Sequence, residues 1–313
     1  MARSGVTTLT FTARDIIGKA LSVCNARDVD QPLDNIDLQE GLDSLNLLVK
    51  RFQKDNHLWK KTEGVVFLDV GKTDYLLGPT GDEACNFSDF IETTLSAAEA
   101  ADQLILSVTS STGMAIADTI GIMLDSGTRH WTTIDGVASS TAVRITTKLP
   151  SAAASGNTVY TYTNLIDRPL SVLDNARYRA SPTDSTIPIS RWSRKAYFDQ
   201  PDKESQGTVT QDYFQPTLDN GRYYVWQTAS DGDAIVRITY EQPIEVFVAT
   251  ADDPDFPHEW YYALVYSLAE AIGPEYKLPV DRQNRNSQLA AFYLADAKGD
   301  DIENTSLDVQ VEM

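Results

Sequence analysis

Apolar residues near the start of the chain recur at the spacing of an α-helix. Thr12 and Asp15 form the pattern of a capping box, and the apolar residues that follow lie three and four positions apart. This pattern predicts a helix from about Ala13 to Asn25. A second start signal at Asp37 precedes another apolar stripe and predicts a helix that ends near Asp55. Two helices joined by a short loop form an antiparallel hairpin.

Helical spacing returns in the last part of the chain. After Pro257, large apolar residues repeat every four positions until Gly273, namely Trp260, Leu264, Leu268 and Ile272. A final helix is predicted from about Val280 to Lys298. Because no pair of helices can bury its apolar stripe alone, we expect the N-terminal hairpin to pack against the two C-terminal helices in a bundle.

Between these helical regions the pattern changes to short runs rich in Val, Ile, Thr and Tyr. Turn residues separate the runs, which is typical of antiparallel β-structure. The main predicted strands are Val65 to Asp69, Gln103 to Thr109, Thr119 to Leu124, Arg129 to Ile134, Ala142 to Thr147, Thr158 to Thr163, Arg222 to Gln227 and Ala234 to Glu241. Several of them lie between residues 88 and 165, enough for a small sandwich or barrel.

The patterns together predict an α+β fold. It consists of an antiparallel helical bundle built from the N- and C-terminal helices, a central antiparallel β region, and an inserted small β-sandwich or barrel. Residues 1–87 and 166–298 would form the helical domain with its β-strands, and residues 88–165 the inserted β-domain. Residues 299–313 would form an extended C-terminal tail.

The charge balance is strongly acidic, with 45 Asp and Glu residues against 26 Lys and Arg and a net charge of −19. This argues against electrostatic binding of nucleic acid, which needs cations that displace counterions from phosphates. It does not exclude a protein that DNA passes without binding. We expect no secretory signal and no membrane span. Cys24 and Cys85 are too few for a disulfide framework and are expected to be reduced thiols of a protein that folds in a cytoplasm.

Motifs of common enzymes are missing from the sequence. Gly71-Lys72-Thr73 lacks the earlier glycine of a phosphate-binding loop, whose place Val66 takes, and no GxGxxG, GxSxG or HExxH pattern occurs. His258 has acidic neighbours, Asp252, Asp253, Asp255 and Glu259, which could ligate a metal. We favour helix capping for these acids. The sequence therefore predicts no enzyme, no metal and no cofactor.

Aromatic residues cluster on one predicted helix, where Tyr261, Tyr262 and Tyr266 lie close together. Base stacking on these rings would normally come with a positively charged groove. The helix is flanked by acids instead, so packing in the core or at a subunit contact is favoured. We therefore take these three tyrosines as candidate partner-binding residues.

Several segments occur in a characteristic order along the chain. They are Ala13-Arg14-Asp15-Ile16-Ile17-Gly18-Lys19-Ala20-Leu21, Leu42-Asp43-Ser44-Leu45-Asn46-Leu47-Leu48, Arg168-Pro169-Leu170, Arg222-Tyr223-Tyr224-Val225-Trp226, Ile238-Thr239-Tyr240-Glu241-Gln242-Pro243 and Phe256 to Tyr266. In this order they resemble the head-to-tail adaptor family of tailed bacteriophages, the tail accessory factors that stabilise packaged DNA. Residues 121–127 and 130–134 resemble the β-insertion found in longer members.

The resemblance implies a structural protein of the virion, made in the bacterial host cytoplasm and assembled at the head–tail junction. Members form a homo-oligomeric ring, commonly a dodecamer, that attaches below the portal protein and carries the tail nozzle or fibres. DNA would pass through the ring without specific binding. A predominantly acidic inner wall would keep the DNA from sticking during transit.

The C-terminal tail alternates apolar Leu307, Val309 and Val311 with acidic or amide residues. Period-two alternation is typical of a strand with one buried face. One interpretation is that this segment adds to a sheet edge on a neighbouring copy or on the portal, so that the three apolar residues bind a partner. The other is a frayed terminus, as at most chain ends. The sequence leaves both open.

Two alternative functions remain open from the sequence. A carbohydrate- or receptor-binding tail protein could use the inserted β-domain, with Trp131 as a stacking surface. A hydrolase could use Asp252, Asp253 and Asp255 as a carboxylate site. A closed ring of many copies is expected of neither, so the size of the assembly separates them from a connector.

Overall fold

A computed structural model describes residues 10–25, 32–55, 57–299 and 301 of the chain. The chain divides into two compact units. The first unit is Met1–Lys60 together with Ile244–Met313, and the second unit is Lys61–Pro243. The domain boundaries expected from the sequence, after residues 87 and 165, stay a prediction.

Five α-helices and eighteen strands lie in the described residues. The helices are α1 Ala13–Val23, α2 Asn35–Phe52, α3 Arg194–Phe198, α4 Tyr261–Ile272 and α5 Val280–Gly299. The strands are β1 Lys61–Phe67, β2 Asp74–Leu77, β3 Ala84–Asn86, β4 Ile91–Thr94, β5 Ile105–Ser107, β6 Thr119–Met123, β7 Arg129–Ser139, β8 Ala142–Ile145, β9 Thr158–Tyr162, β10 Ser171–Val172, β11 Arg177–Arg179, β12 Ile187–Pro188, β13 Ser190–Arg191, β14 Gln206–Gly207, β15 Gln211–Gln215, β16 Gly221–Trp226, β17 Thr228–Ala229 and β18 Ile235–Glu241.

The predicted fold class, an α+β fold based on an antiparallel bundle of N- and C-terminal helices, is wrong. Over the described ranges the chain is mostly strands in several sheets, and no long bundle of terminal helices is evident. The physical reason lies largely in α5, the longest helix, which buries only Asn286, Ala290 and Ala297. Helical spacing of apolar residues predicted this helix, but its weak stripe cannot supply one side of a bundle core.

The core of the first unit forms around α4. This helix buries seven of its 12 residues, and it packs against apolar residues of α1 and α2. Trp260, just before α4, is only 2% exposed and lies edge-on to Phe52 of α2, with ring centroids 5.9 Å apart. Helices from both ends of the chain therefore share one core, and none of them is buried by local contacts alone.

The start of α1 is held by two sets of hydrogen bonds. Its predicted capping box is confirmed, because Thr12 Oγ1 accepts from the Asp15 amide at 3.3 Å and Asp15 Oδ2 accepts from the Thr12 amide at 2.9 Å. The next free amides, of Ala13 and Arg14, donate to the carbonyl oxygens of Asp252 and Thr250 at 2.9 and 2.8 Å. Backbone from the C-terminal half of the first unit thus satisfies donors that a helix start leaves free.

The second unit contains the sheets. One six-stranded sheet has the order β12-β11-β18-β1-β3, with β10 also paired to β18, and a four-stranded sheet has the order β13-β15-β16-β2. Strands β4 to β9 form another six-stranded sheet in the order β4-β9-β6-β7-β8-β5. A bridge between Leu95 and Val108 links the regions next to its two edge strands. This sheet therefore curls into a half-barrel around its own apolar core.

Candidate interaction surfaces

An aromatic cluster lies on the outside of the first unit, between α4 and α5. Tyr262 and Tyr266 are one helical turn apart, and both stack on Tyr293, with centroid distances of 5.2 and 5.0 Å. Phe292 meets Tyr293 edge-on at 5.3 Å. We call these four residues the aromatic surface. Stacked rings hold one another in place, so this surface is preorganised.

The aromatic surface is open to solvent. Tyr262 is 51% exposed and Phe292 is 62% exposed, while Tyr266 and Tyr293 are partly buried against the core. Aromatic side chains in such a position lose water favourably on contact with another protein and anchor many interfaces. The arrangement is suited to binding a protein surface.

The three tyrosines predicted to bind a partner do not all lie in this surface. Tyr261 is partly buried against the core, where its ring meets Phe11 edge-on at 4.6 Å. Burial raises the pKa of the Tyr261 phenol, and the nearby Asp15 carboxylate adds to the effect. Sequence reasoning missed Tyr293 and Phe292, although two adjacent aromatics in the otherwise polar α5 were a visible signal. Leu307, Val309 and Val311 lie outside the described residues.

A second exposed apolar surface lies where α2 meets the segment before α4. Leu47 is 75% exposed and Val248 is 85% exposed, and Val246 is also exposed. We call these three residues the Leu47 surface. Lys50 Nζ donates to the Ile244 carbonyl at 2.7 Å, which helps to hold the segment against α2.

Two of the acids around His258, Asp252 and Asp255, bind groups of the neighbouring backbone and a lysine. Asp252 Oδ2 accepts from the amides of Val248 and Ala249 at 2.8 and 2.7 Å. Asp255 pairs with Lys60 Nζ and accepts from the Glu245 amide at 3.0 Å. The predicted helix capping is wrong, because the turn that leads into α4 has Pro257 as its N-cap and no side-chain cap bond. The carboxylates instead fix the loop before α4.

The histidines also have local partners. His57 is buried, with Nδ1 3.2 Å from Asp301 Oδ2 and Nε2 3.0 Å from the Phe52 carbonyl. His258 lies beside Glu259, and His130 Nε2 is 3.2 Å from Thr147 Oγ1. Within the part of the chain that the structure describes, no group of three His, Cys, Asp or Glu residues is placed to hold a metal ion.

Trp131, the stacking residue of the carbohydrate-binding alternative, is occupied by its own neighbours. Its ring lies so close to Gly121 that a Cβ on that glycine would come within 2.5 Å of a ring carbon. The ring also meets Phe67 edge-on at 4.9 Å, and the Arg129 guanidinium carbon is 5.5 Å from its centroid. This packing leaves the ring poorly placed to stack on a sugar.

Two charged side chains near Trp131, Arg129 and Glu83, are partly buried. Arg129 Nη2 donates to the Gly232 carbonyl at 2.7 Å, whereas its Nε and Nη1 are buried and have no hydrogen-bond partner in the described part of the chain. Burial lowers the pKa of Arg129. Glu83 accepts a hydrogen bond from the Tyr162 hydroxyl, and burial raises the pKa of this carboxyl, with Asp82 and Asp69 adding to the effect. The Arg129 and Glu83 side chains lie among aromatic rings, and they contribute to the electrostatic potential there.

No model of a known protein family matches the chain, and no curated protein matches it in sequence. Among the described residues, no helix is both long enough and apolar enough to cross a membrane. Function is therefore inferred from the exposed surfaces of the molecule and from the order of the segments described above.

Proposed function

We propose that the chain is a structural ring subunit of a phage head-to-tail connector. It docks below the portal, joins the portal to the tail, and lines the DNA channel. The observation that carries the proposal is that the first unit exposes two different apolar surfaces, the aromatic surface and the Leu47 surface. The order of the adaptor-like segments along the sequence supports the same class.

Two different surfaces are what a ring needs. In a ring each subunit contacts its two neighbours through different faces, so one face must fit another face of an identical copy. An isolated apolar patch would support only a single contact. The ring is expected to have twelve copies, as is common in the family that the sequence resembles.

The charge of the chain suits a DNA channel. With a net charge of −19, the subunit repels phosphate groups on average, so a wall of such subunits favours passage over binding. The proposed role is mechanical and includes no catalysis. A carbohydrate-binding role is less favoured, since the ring of Trp131 is packed against Gly121 and Phe67.

The test is assembly with the portal protein encoded by the same genome, measured by native mass spectrometry and imaging. We expect many copies of the chain to bind each portal ring. A Tyr262→Ala, Phe292→Ala double variant should bind fewer copies, because the aromatic surface loses its exposed anchors. Leu218→Ala is the matched control, since Leu218 is 90% exposed in the second unit. Binding of only one or two copies per portal ring would contradict the proposal.

A further inference from the structure

A recess in the first unit borders the aromatic surface, with which it shares Tyr266. Its volume is about 250 Å³, and its lining residues are Val23, Asn25, Tyr266, Arg282, Arg285, Asn286 and Leu289. Arg282 and Arg285 are three residues apart and Asn286 follows directly, so α5 presents all three side chains to the recess. The recess therefore has a side rich in hydrogen-bond donors.

The two arginines have no acidic partner among the described residues. Neither guanidinium forms an ion pair or a hydrogen bond there. Glu270 of α4 accepts instead from the Ser287 hydroxyl, at 2.6 Å.

Asn286 provides a second, independent observation. It is only 4% exposed, and its Nδ2 is buried with no hydrogen-bond partner among the described residues. A buried amide normally finds an acceptor, so an unpaired one that lines a recess is a donor available to an acceptor group of a ligand. The recess also lies near the N-terminal end of the 20-residue helix α5, where the helix dipole favours a negative charge.

We propose that this recess binds a carboxylate of an acidic segment on another protein chain. Guanidinium groups bind carboxylates through paired hydrogen bonds, and the Asn286 amide supplies a further donor. A cation would find no acidic ligand among the described residues that line the recess. Nucleic acid is disfavoured, because its binding needs cations at many phosphates along the strand, whereas this recess offers only two arginines at one spot. The three groups that would bind the carboxylate, Arg282, Arg285 and Asn286, are not part of the aromatic surface, so binding can be tested on the isolated chain.

The test is calorimetric titration of the full chain with a blocked tetraglutamate peptide. We expect saturable binding. Each single replacement, Arg282→Gln or Arg285→Gln, should raise the Kd of the peptide about tenfold or more. Asn286→Ala should also weaken peptide binding, because it removes the amide donor. The matched control is Arg51→Gln with Lys54→Gln, which makes the same change in net charge on exposed residues of the same unit. Thermal unfolding shows whether each variant is folded.

Titrations with other ligands identify the chemical class that the recess binds. Glutarate should bind more weakly than the peptide, because it lacks the rest of an acidic segment, and inorganic phosphate should bind more weakly still. The proposal is overturned if the peptide does not saturate, or if the control pair loses binding equally. It is also overturned if glutarate or phosphate binds as tightly as the peptide, or if a DNA oligonucleotide displaces the peptide.

Discussion

The side-chain amide of Asn46 pairs with both backbone polar groups of Phe247. Asn46 Nδ2 donates to the Phe247 carbonyl at 2.9 Å, and the Phe247 amide donates to Asn46 Oδ1 at 2.9 Å. One side chain thus imitates the pairing of a β-strand and ties the extended segment to α2. It also fixes the neighbours Leu47 and Val248, which belong to the Leu47 surface.

Asn46→Ala should lower the free energy of unfolding by about 2 kcal/mol, since it leaves two partly buried backbone groups without partners. Urea unfolding followed by circular dichroism measures the change. Gln39→Ala on the same helix removes only an exposed bond to Asp43 and should cost less than about 0.5 kcal/mol. Equal effects of the two substitutions would show that the Asn46 pair contributes nothing special.

Asp301→Ala should destabilise the protein by about 1–3 kcal/mol, because Asp301 holds the Leu58 amide at 2.9 Å and His57 Nδ1 at 3.2 Å. The measurement is again equilibrium unfolding. Asp55→Ala is a suitable comparison, since its partner Lys298 forms an exposed ion pair of little expected value. If Asp301→Ala unfolds like the wild type, the pair with His57 is unimportant for stability.

The C-terminal tail is tested by truncation after Asp301, which preserves the Asp301–His57 pair that an earlier truncation would remove. If residues 306–313 add as a strand to a neighbour or to the portal, the truncated chain should fold normally but bind the portal more weakly. The readouts are unfolding of the isolated chain and the number of copies bound per portal. Unchanged binding would favour the frayed terminus.

The Glu83 carboxyl should make stability fall as pH rises. Burial raises its pKa in the folded chain above the ordinary value of 4.5, so the folded state holds the proton more tightly than the unfolded state. Its stabilising contribution is therefore complete below pH 4.5 and is lost as pH rises through the folded pKa.

Glu83→Gln imitates the protonated form and should make the stability profile flatter, with a gain at neutral pH. Unfolding curves from pH 4 to pH 8 on the wild type, on this variant and on the exposed control Glu204→Gln test this. If the pH dependence of the unfolding free energy is the same in Glu83→Gln as in the wild type, another group causes it.

Both thiols should be unreactive in the native protein. Burial raises the pKa of Cys24 to about 11 and raises that of Cys85 as well. Because the thiolate is the reactive form, Ellman's reagent at pH 8 should react about a hundredfold more slowly than with the unfolded chain. The Cys24→Ala variant shows which of the two thiols any residual reaction comes from. One rapidly reacting thiol in the native protein would contradict the expectation.

Local signals in the sequence predicted local structure well. The capping box of Thr12 and Asp15 placed the start of α1, and the run of β-branched residues placed β18. Two-residue strands such as β10 and β13 have no such signal, because pairing with distant strands defines them. The predicted bundle was wrong for a related reason, since periodicity shows that α5 is a helix but not how little of it is buried.

For the candidate sites too, the sequence predicted local features but not the contacts between distant residues. Adjacent tyrosines at positions 261, 262 and 266 indicated an aromatic helix, but only the fold turns Tyr261 inward and brings in Tyr293. The role of Asp255 was also missed. Its partner Lys60 is 195 residues away along the chain, so no local pattern relates the two.

The discontinuity of the first unit sets an order on synthesis. Cys24 of the N-terminal part bonds through its thiol to the Ala269 carbonyl of α4, 245 residues later. On the ribosome, α1 and α2 must wait for α4 before they can bury their apolar faces, and the intervening second unit is complete before then. The aromatic surface, which needs α5 as well, is assembled last. Nascent chains that have not yet reached α5 therefore lack this surface and cannot associate through it.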